Sequence, residues 1–255
     1  MIRLLILLML AGPVAAQAPP VTERIVSGLS QSRVSITANF DGSEILIYGA
    51  VRREAPPPGG EPMEVIVTVE GPAAPLVIRR KERTAGIWIN RSSVTIDAAP
   101  SFYAVATTGP LDRILTQTED LRHSITIPRV IRAVGISAEA ENAPEFVESL
   151  QRLRSREDRY RLDEGFVQFV EETLFRADVV LPANLTEGDY RVRIFLLRDG
   201  RVVANQSRII GVRKAGLERY LFNMANDEPL AYGLASLIIA VMAGWGASAV
   251  FRLIR

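Results

Sequence analysis

The sequence predicts a mainly β protein tied to a membrane by one helix near its C-terminus. Three observations carry that reading. Short strand-like runs crowd residues 22–108 and return after residue 165. A helical stretch lies between them. Leu230 to Phe251 is then a run of 22 residues without a charge. Closely spaced strands with polar turns favour one or two immunoglobulin-like β-sandwich modules with a short helical insertion.

The elements follow in order. MIRLLILLMLAGPVAAQ has a positive Arg3, an apolar core from Leu4 to Ala11, and small residues at Val14-Ala15-Ala16. This is the pattern of a secretory signal peptide, with cleavage after Ala16. So short a core does not span about 30 Å of hydrocarbon comfortably, which speaks against an uncleaved anchor. Residues 17–109 form the expected N-terminal β-sandwich domain. Val34 to Thr37 and Glu44 to Tyr48 read as strands around a hairpin turn, Phe40-Asp41-Gly42-Ser43. Glu64 to Val69 alternates, with Val65, Val67 and Val69 on one face and Ile66 and Thr68 on the other. Short strands at Leu76 to Ile78, Gly86 to Asn90, Val94 to Ile96 and Phe102 to Ala106 complete the region. The stretch from Glu54 to Glu61, rich in proline and glycine, is a stiff connection.

Residues 110–164 form a helical connecting segment. Pro110 opens it, Leu111, Ile114, Leu115 and Thr118 keep helical spacing, and Asn142 can cap a second helix bearing Phe146, Leu150 and Leu153. The arginines from Arg152 to Arg161 read as a solvated helix face and its exit. Residues 165–214 form a second β module, with strands at Phe175 to Leu181, Tyr190 to Leu197 and Val202 to Val212 and a tight turn at Asp199-Gly200. One longer sandwich with a helical insertion fits the same pattern.

Residues 215–229 form a juxtamembrane helix, amphipathic through Leu217, Tyr220, Leu221 and Met224. It either lies on the bilayer surface or packs on the β body. Residues 230–251 span the membrane: at about 1.5 Å per residue they reach about 33 Å. Asp227, Glu228 and Pro229 suit a helix start. Arg252 and Arg255 put residues 252–255 in the cytoplasm and the body on the periplasmic side of the inner membrane.

Composition narrows the functional classes. The net charge of +1 gives no general attraction to nucleic acid, and the absence of cysteine excludes disulfides, thiol nucleophiles and cysteine metal sites. No GxSxG, HExxH or phosphate-binding glycine loop occurs, and the single histidine, His123, stands beside Ser124 without a visible third partner. The expectation is a non-enzymatic protein without cofactor or metal; a hydrolase with a carboxylate site would leave little trace in one sequence.

Two features carry partner chemistry. Arg79, Arg80, Lys81 and Arg83 lie close to Trp88, and arginine beside an aromatic ring suits recognition of an acidic ligand or protein. The same charges also protect a hairpin edge from unwanted pairing. On a strand Arg80 shares a face with Ile78 while Arg79 and Lys81 take the other, and Glu82 dilutes the patch. In the membrane run, Ser236, Ala240, Gly244 and Ser248 recur at four-residue steps, a seam where another membrane protein or a second copy can approach. Frequent small residues in this stretch give the same spacing by chance.

The stretches GPAAPLVIRRKERTAGIWINRSSV, APSFYAVATTGPL, FDGSEILIYGAV, GDYRVRIFLLRDG and GLERYLFNMANDEPLAYGL resemble the alpha-proteobacterial family of putative transmembrane proteins. The resemblance covers nearly the whole mature chain. It implies a secretion signal, one C-terminal span, no catalytic residues to carry over, and a sulfite-exporter-type permease as a neighbour. The expected function is therefore an accessory subunit of an inner-membrane transport complex. The alternative is an envelope-binding module that recognises an acidic ligand through the basic hairpin.

Overall fold

The computed structural model describes residues 23–37, 40–53, 62–131, 143–171, 173–214 and 217–253. The signal peptide, the connection from Glu54 to Glu61, the Asn142 cap and Glu172 lie outside them. The first strands are β1 (Arg24–Leu29), β2 (Arg33–Ile36), β3 (Gly42–Arg52), β4 (Glu64–Glu70), β5 (Ala73–Thr84), β6 (Ile87–Pro100) and β7 (Tyr103–Thr107). Helices α1 (Leu111–Ile114), α2 (Gln117–His123), α3 (Ile127–Val130) and α4 (Ala143–Arg156) follow. Next come β8 (Tyr160–Asp163), β9 (Gln168–Val170), β10 (Leu174–Pro182), β11 (Gly188–Arg198) and β12 (Arg201–Lys214). Helices α5 (Leu217–Asp227) and α6 (Pro229–Leu253) close the described chain.

The fold is mainly β, as the sequence predicts, but the two β regions interleave. One sheet has the order β1-β3-β10-β9 and the other β2-β12-β11-β4-β7-β8. β3 pairs with β10 from Gly42↔Pro182 to Ala50↔Leu174, and β4 pairs with β11 from Glu64↔Leu197 to Glu70↔Arg191. Neither region closes a sheet alone, so the described strands of residues 17–109 and 165–214 build one sandwich rather than two modules. Glu23 ties the ends of this arrangement together. Its carboxylate is buried and accepts from Arg198 at 2.6 Å, with Arg53 at 3.6 Å.

The hairpin expected at Phe40-Asp41-Gly42-Ser43 does not form. β2 pairs in parallel with β12, and β3 lies in the opposite sheet. Gly42 does take a positive φ, 123°, but there it starts β3 as the chain crosses between layers. Asp199 and Gly200, with φ of 51° and 70°, make the expected tight turn between β11 and β12. Tyr190 sits near the start of β11 and its hydroxyl donates to the Thr186 carbonyl at 2.9 Å.

The sandwich interior joins Ile45, Ile47, Phe175 and Val179 of the first sheet to Val65, Val67, Val192 and Ile194 of the second. The other side of the second sheet is covered too. Ile66, Val105, Phe195 and Leu197 pack under a layer that includes Ile114, Ile125, Ile127 and Leu150 of the helical segment. β4 is consequently buried on both faces, which explains its β-branched sequence EVIVTVE.

The helical run expected from Leu111 to Thr118 breaks at Leu115, whose backbone is extended (φ −129°, ψ 122°), giving α1 and α2. The turn after α2 is strongly tied. Asp120 accepts from the Ile125 and Thr126 amides at 3.0 and 2.8 Å, and Arg193 donates to the His123 and Ser124 carbonyls at 2.6 and 2.9 Å. His123 ends α2 with Nε2 3.5 Å from the buried Glu119 carboxylate and its ring 5.5 Å from that of Phe195.

Candidate functional site

The basic stretch lies on one long hairpin that the sequence presents as several short strands. β4 and β7 pair from Ile66↔Thr107 to Glu70↔Tyr103. The ladder passes through Gly71 N–H to the Phe102 carbonyl and Ser101 N–H to the Pro72 carbonyl, then runs on from Ala73↔Pro100 to Thr84↔Ile87. Gly71, with a Cβ that would meet Ser101 Oγ at 2.7 Å, and Pro72 interrupt one arm. Beyond them Leu76, Ile78 and Ile96 belong to the buried cluster covering the second sheet, so the hairpin turns there and returns over its own sheet. Tyr160, near the C-terminal end of α4, donates to the Pro100 carbonyl at 2.8 Å, while Arg80 reaches Glu145 in the first turn of α4. The ribbon therefore runs antiparallel beside α4, and its tip extends past the start of that helix.

Two tyrosines mark the bend, paired as Tyr103↔Tyr160. Tyr103 donates to the Ile125 carbonyl at 2.7 Å and accepts from Arg193 at 3.0 Å. Burial pushes both phenols up to about 12, against a partial lowering by neighbouring arginines.

Past Ile78↔Val94 the ribbon leaves the core. Its register sorts the side chains. Arg79, Lys81 and Arg83 alternate along β5 on the side facing away from the core, and Trp88, directly across from Arg83, joins them. All four are exposed, Trp88 by 66%. Alternate residues lie about 6.6 Å apart, so Arg79 to Arg83 covers about 13 Å. Among the described residues no carboxylate pairs with Arg79, Lys81 or Arg83.

Arg80 belongs to the opposite side. It binds Glu145 at 3.1 Å and Glu82 at 3.4 Å, with its guanidinium 5.6 Å from the centre of the Phe146 ring. Glu82 also accepts from Ser92 at 3.0 Å. The dilution of the patch expected from Glu82 does not occur, because that carboxylate points to the core side and neutralises Arg80 alone. The structure thus joins Arg79, Lys81, Arg83 and Trp88 and separates Arg80 from them. It also adds Arg91. The register shifts between Arg80↔Ser92 and Lys81↔Asn90, leaving Arg91 as the exposed extra residue of a β-bulge. The turn itself is open: Ala85 and Gly86 have φ of 49° and 87°, and a Cβ on Gly86 would meet nothing within 4 Å.

The second candidate feature is α6. Its apolar window, Pro229–Ser248, has a mean hydropathy of 1.7 and no part buried by the rest of the chain. It is long and apolar enough to cross a membrane. Ser236, Ala240 and Gly244 are exposed along it with Ser248, and Ser236 Oγ donates back to the Tyr232 carbonyl at 2.9 Å. Amides of Glu228 and Tyr232 donate to Met224 and Glu228, linking α5 to α6. Tyr220 and Phe222 of α5 are exposed by 65% and 68%, so these two rings do not pack on the β body.

Elsewhere, a groove of about 490 Å³ crosses the helical layer, lined by Leu111, Leu115, Gln117, Asp120, Thr126 and Leu162. Of its carboxylates, Asp120 is already held by the turn after α2, and Glu164 accepts from the Leu111 amide at 2.7 Å. Across the outer side of the first sheet Val26, Ala50, Leu174 and Val170 stand in one cross-strand row. Among the described residues no group of three histidine or acidic side chains could hold a metal ion.

The family described as "Putative transmembrane protein (Alph_Pro_TM)" matches residues 24–253. No curated protein matches the chain. Among solved structures it is similar to Spo0M, the sporulation control protein from Bacillus subtilis, at 12% identity and a TM-score of 0.28. That likeness covers 80% of this chain and 55% of Spo0M, and it is too distant to bear on function.

Proposed function

This chain belongs to the Alph_Pro_TM family of transmembrane proteins, and from that premise we propose that it is a membrane-anchored, non-enzymatic accessory subunit of an inner-membrane transport complex. α6 is its stem, the β body stands on the periplasmic side, and the partner is a permease-type membrane protein. The observation that carries the reading is the stem: a helix of membrane-spanning length whose whole apolar window is left uncovered by the body. A lipid-facing helix needs no partner, but the small residues at Ser236, Ala240, Gly244 and Ser248 let a second helix approach closely. Arg252 and Arg255 at one end and Asp227 and Glu228 at the other favour a cytoplasmic C-terminus.

Capture from native membranes tests it. Tagged full-length protein, extracted in mild detergent, brings down a polytopic membrane protein, and Gly244→Leu reduces the yield by obstructing the approach. Recovery of the wild type without any membrane partner overturns the reading. A reporter fused after Arg255 tests the orientation separately, because activity on the periplasmic side reverses it.

A further inference from the structure

We infer that the outer face of the β5–β6 ribbon, Arg79, Lys81 and Arg83 with Trp88, holds an extended segment of a partner protein whose carboxylates fall at alternate residues. The inference rests on the accessory-subunit reading and names the chemistry of the contact.

Spacing selects the ligand. Three cations in a row over about 13 Å of backbone match a row of acids better than one phosphate or carboxylate, because an extended chain repeats its same-side residues about every 6.6 Å. A segment with acids at i, i+2 and i+4 matches Arg79, Lys81 and Arg83 one to one. Trp88 beside Arg83 offers an aromatic surface to an apolar residue next to the last acid. The cations lack acidic partners among the described residues, and the one nearby carboxylate on β5, Glu82, faces the other side.

Position favours a protein over the bilayer carrying the stem. Gly188, whose Cβ would meet Pro72 at 2.7 Å, pairs with Val212 close to the end of β12. The ribbon's base therefore lies at the end of the sandwich from which the chain leaves for α5 and α6. The tip is eleven residues further along β5, beyond the first turn of α4. That helix runs back from this region to the base, so the tip is carried away from the end of β12, where the chain departs for α5.

The test uses the full chain in phosphatidylcholine nanodiscs with Trp245→Phe, which leaves Trp88 as the one tryptophan. The probes are a synthetic peptide with three glutamates at alternate positions, a peptide of the same composition with the glutamates in one block, and phosphatidylglycerol vesicles. The alternating peptide shifts the Trp88 emission saturably to the blue, with affinity falling as salt rises. Arg79→Ala/Lys81→Ala/Arg83→Ala weakens it about tenfold or more, while Arg80→Ala, on the other face, leaves it within about twofold. Unchanged circular dichroism and urea midpoint confirm that the variants fold. Equal response to the block peptide, response to vesicles alone, or no response overturns the inference. In native membranes the two readings separate. Partner loss with the triple variant supports both. A partner retained equally by wild type and triple variant sinks the ribbon contact alone, and a wild type without a partner sinks the accessory role.

Discussion

The inner arms of the long hairpin, β4 and β7, and its outer arms, β5 and β6, share one ladder but have opposite surroundings. From Val65 to Val69 every side chain is at most 1% exposed, because the sandwich core lies on one side and the helical layer on the other. From Arg79 to Asn90 almost every residue is exposed. Burial of a valine or isoleucine contributes about 1.5–3 kcal/mol, so the inner arms secure the fold. An isolated two-stranded ribbon is marginal in water, and exposed Ile87 and Trp88 add nothing to a core they do not reach. What the outer arms supply is a fixed register for charges. The difference between the halves is between residues retained for packing and residues placed for contact.

The sharpest break between the halves is a cavity in the inner one. Ile66→Ala removes a fully buried side chain covered by the helical layer and lowers unfolding free energy by about 2–5 kcal/mol in urea titration. A loss below about 1 kcal/mol would show that the helical layer is loosely packed and that β4 is not held from both sides.

The bend that joins the halves is exposed to alkali. A phenol with a raised folded value keeps its proton after the unfolded chain has lost it. Its contribution is complete below pH 10 and disappears as pH rises through about 12. Tyr103 and Tyr160 each remove on the order of 3 kcal/mol over that window. Tyr160→Phe reduces the alkaline loss, read as the urea midpoint at pH 9 and pH 12, and leaves the part due to Tyr103 and to Tyr190, which burial also pushes up. An unchanged pH dependence in that variant would mean that the phenol is wet and the bend open.

The same contrast explains what could be read from the sequence. Alternation in Glu64 to Val69, the turn at Asp199-Gly200 and the uncharged run after Leu230 are local signals, and each element formed where its signal lies. Pairing partners are not local. Phe40-Asp41-Gly42-Ser43 has hairpin chemistry, yet β3 finds β1 and β10 because its apolar side completes a core that β2 approaches from the other sheet. The sequence presents Glu64 to Val69, Leu76 to Ile78, Val94 to Ile96 and Phe102 to Ala106 as separate short strands, although the ladder continues past Pro72 and Pro100. In the candidate site, strict alternation separates Arg80 from Arg79 and Lys81 on sequence alone. Trp88 could be placed beside Arg83 only once the turn was fixed at Ala85-Gly86. The bulge at Arg91 had no distinctive residue to announce it, since Asn90-Arg91-Ser92 suits a plain strand equally well.

The smallest expected change in stability accompanies the largest change in shape. Replacing residues 80–92 with Asn-Gly joins Arg79 to Ser93, cross-strand neighbours, through a two-residue turn of the type that matches strand twist. The buried residues Val94 and Ile96 remain, as do Leu76 and Ile78 opposite them. What disappears from the core side is the Arg80–Glu145 pair, whose side chains are 45% and 65% exposed, and the Arg80 contact with Phe146. Such exposed pairs contribute about 0–1 kcal/mol, so the urea midpoint falls by that amount at most. Partner capture from native membranes is lost at the same time, because two of the three outer cations and Trp88 leave with the segment. A fall of more than about 2 kcal/mol would show that the distal ribbon supports the helical layer, and the division between packing and contact residues would have to be drawn nearer the tip.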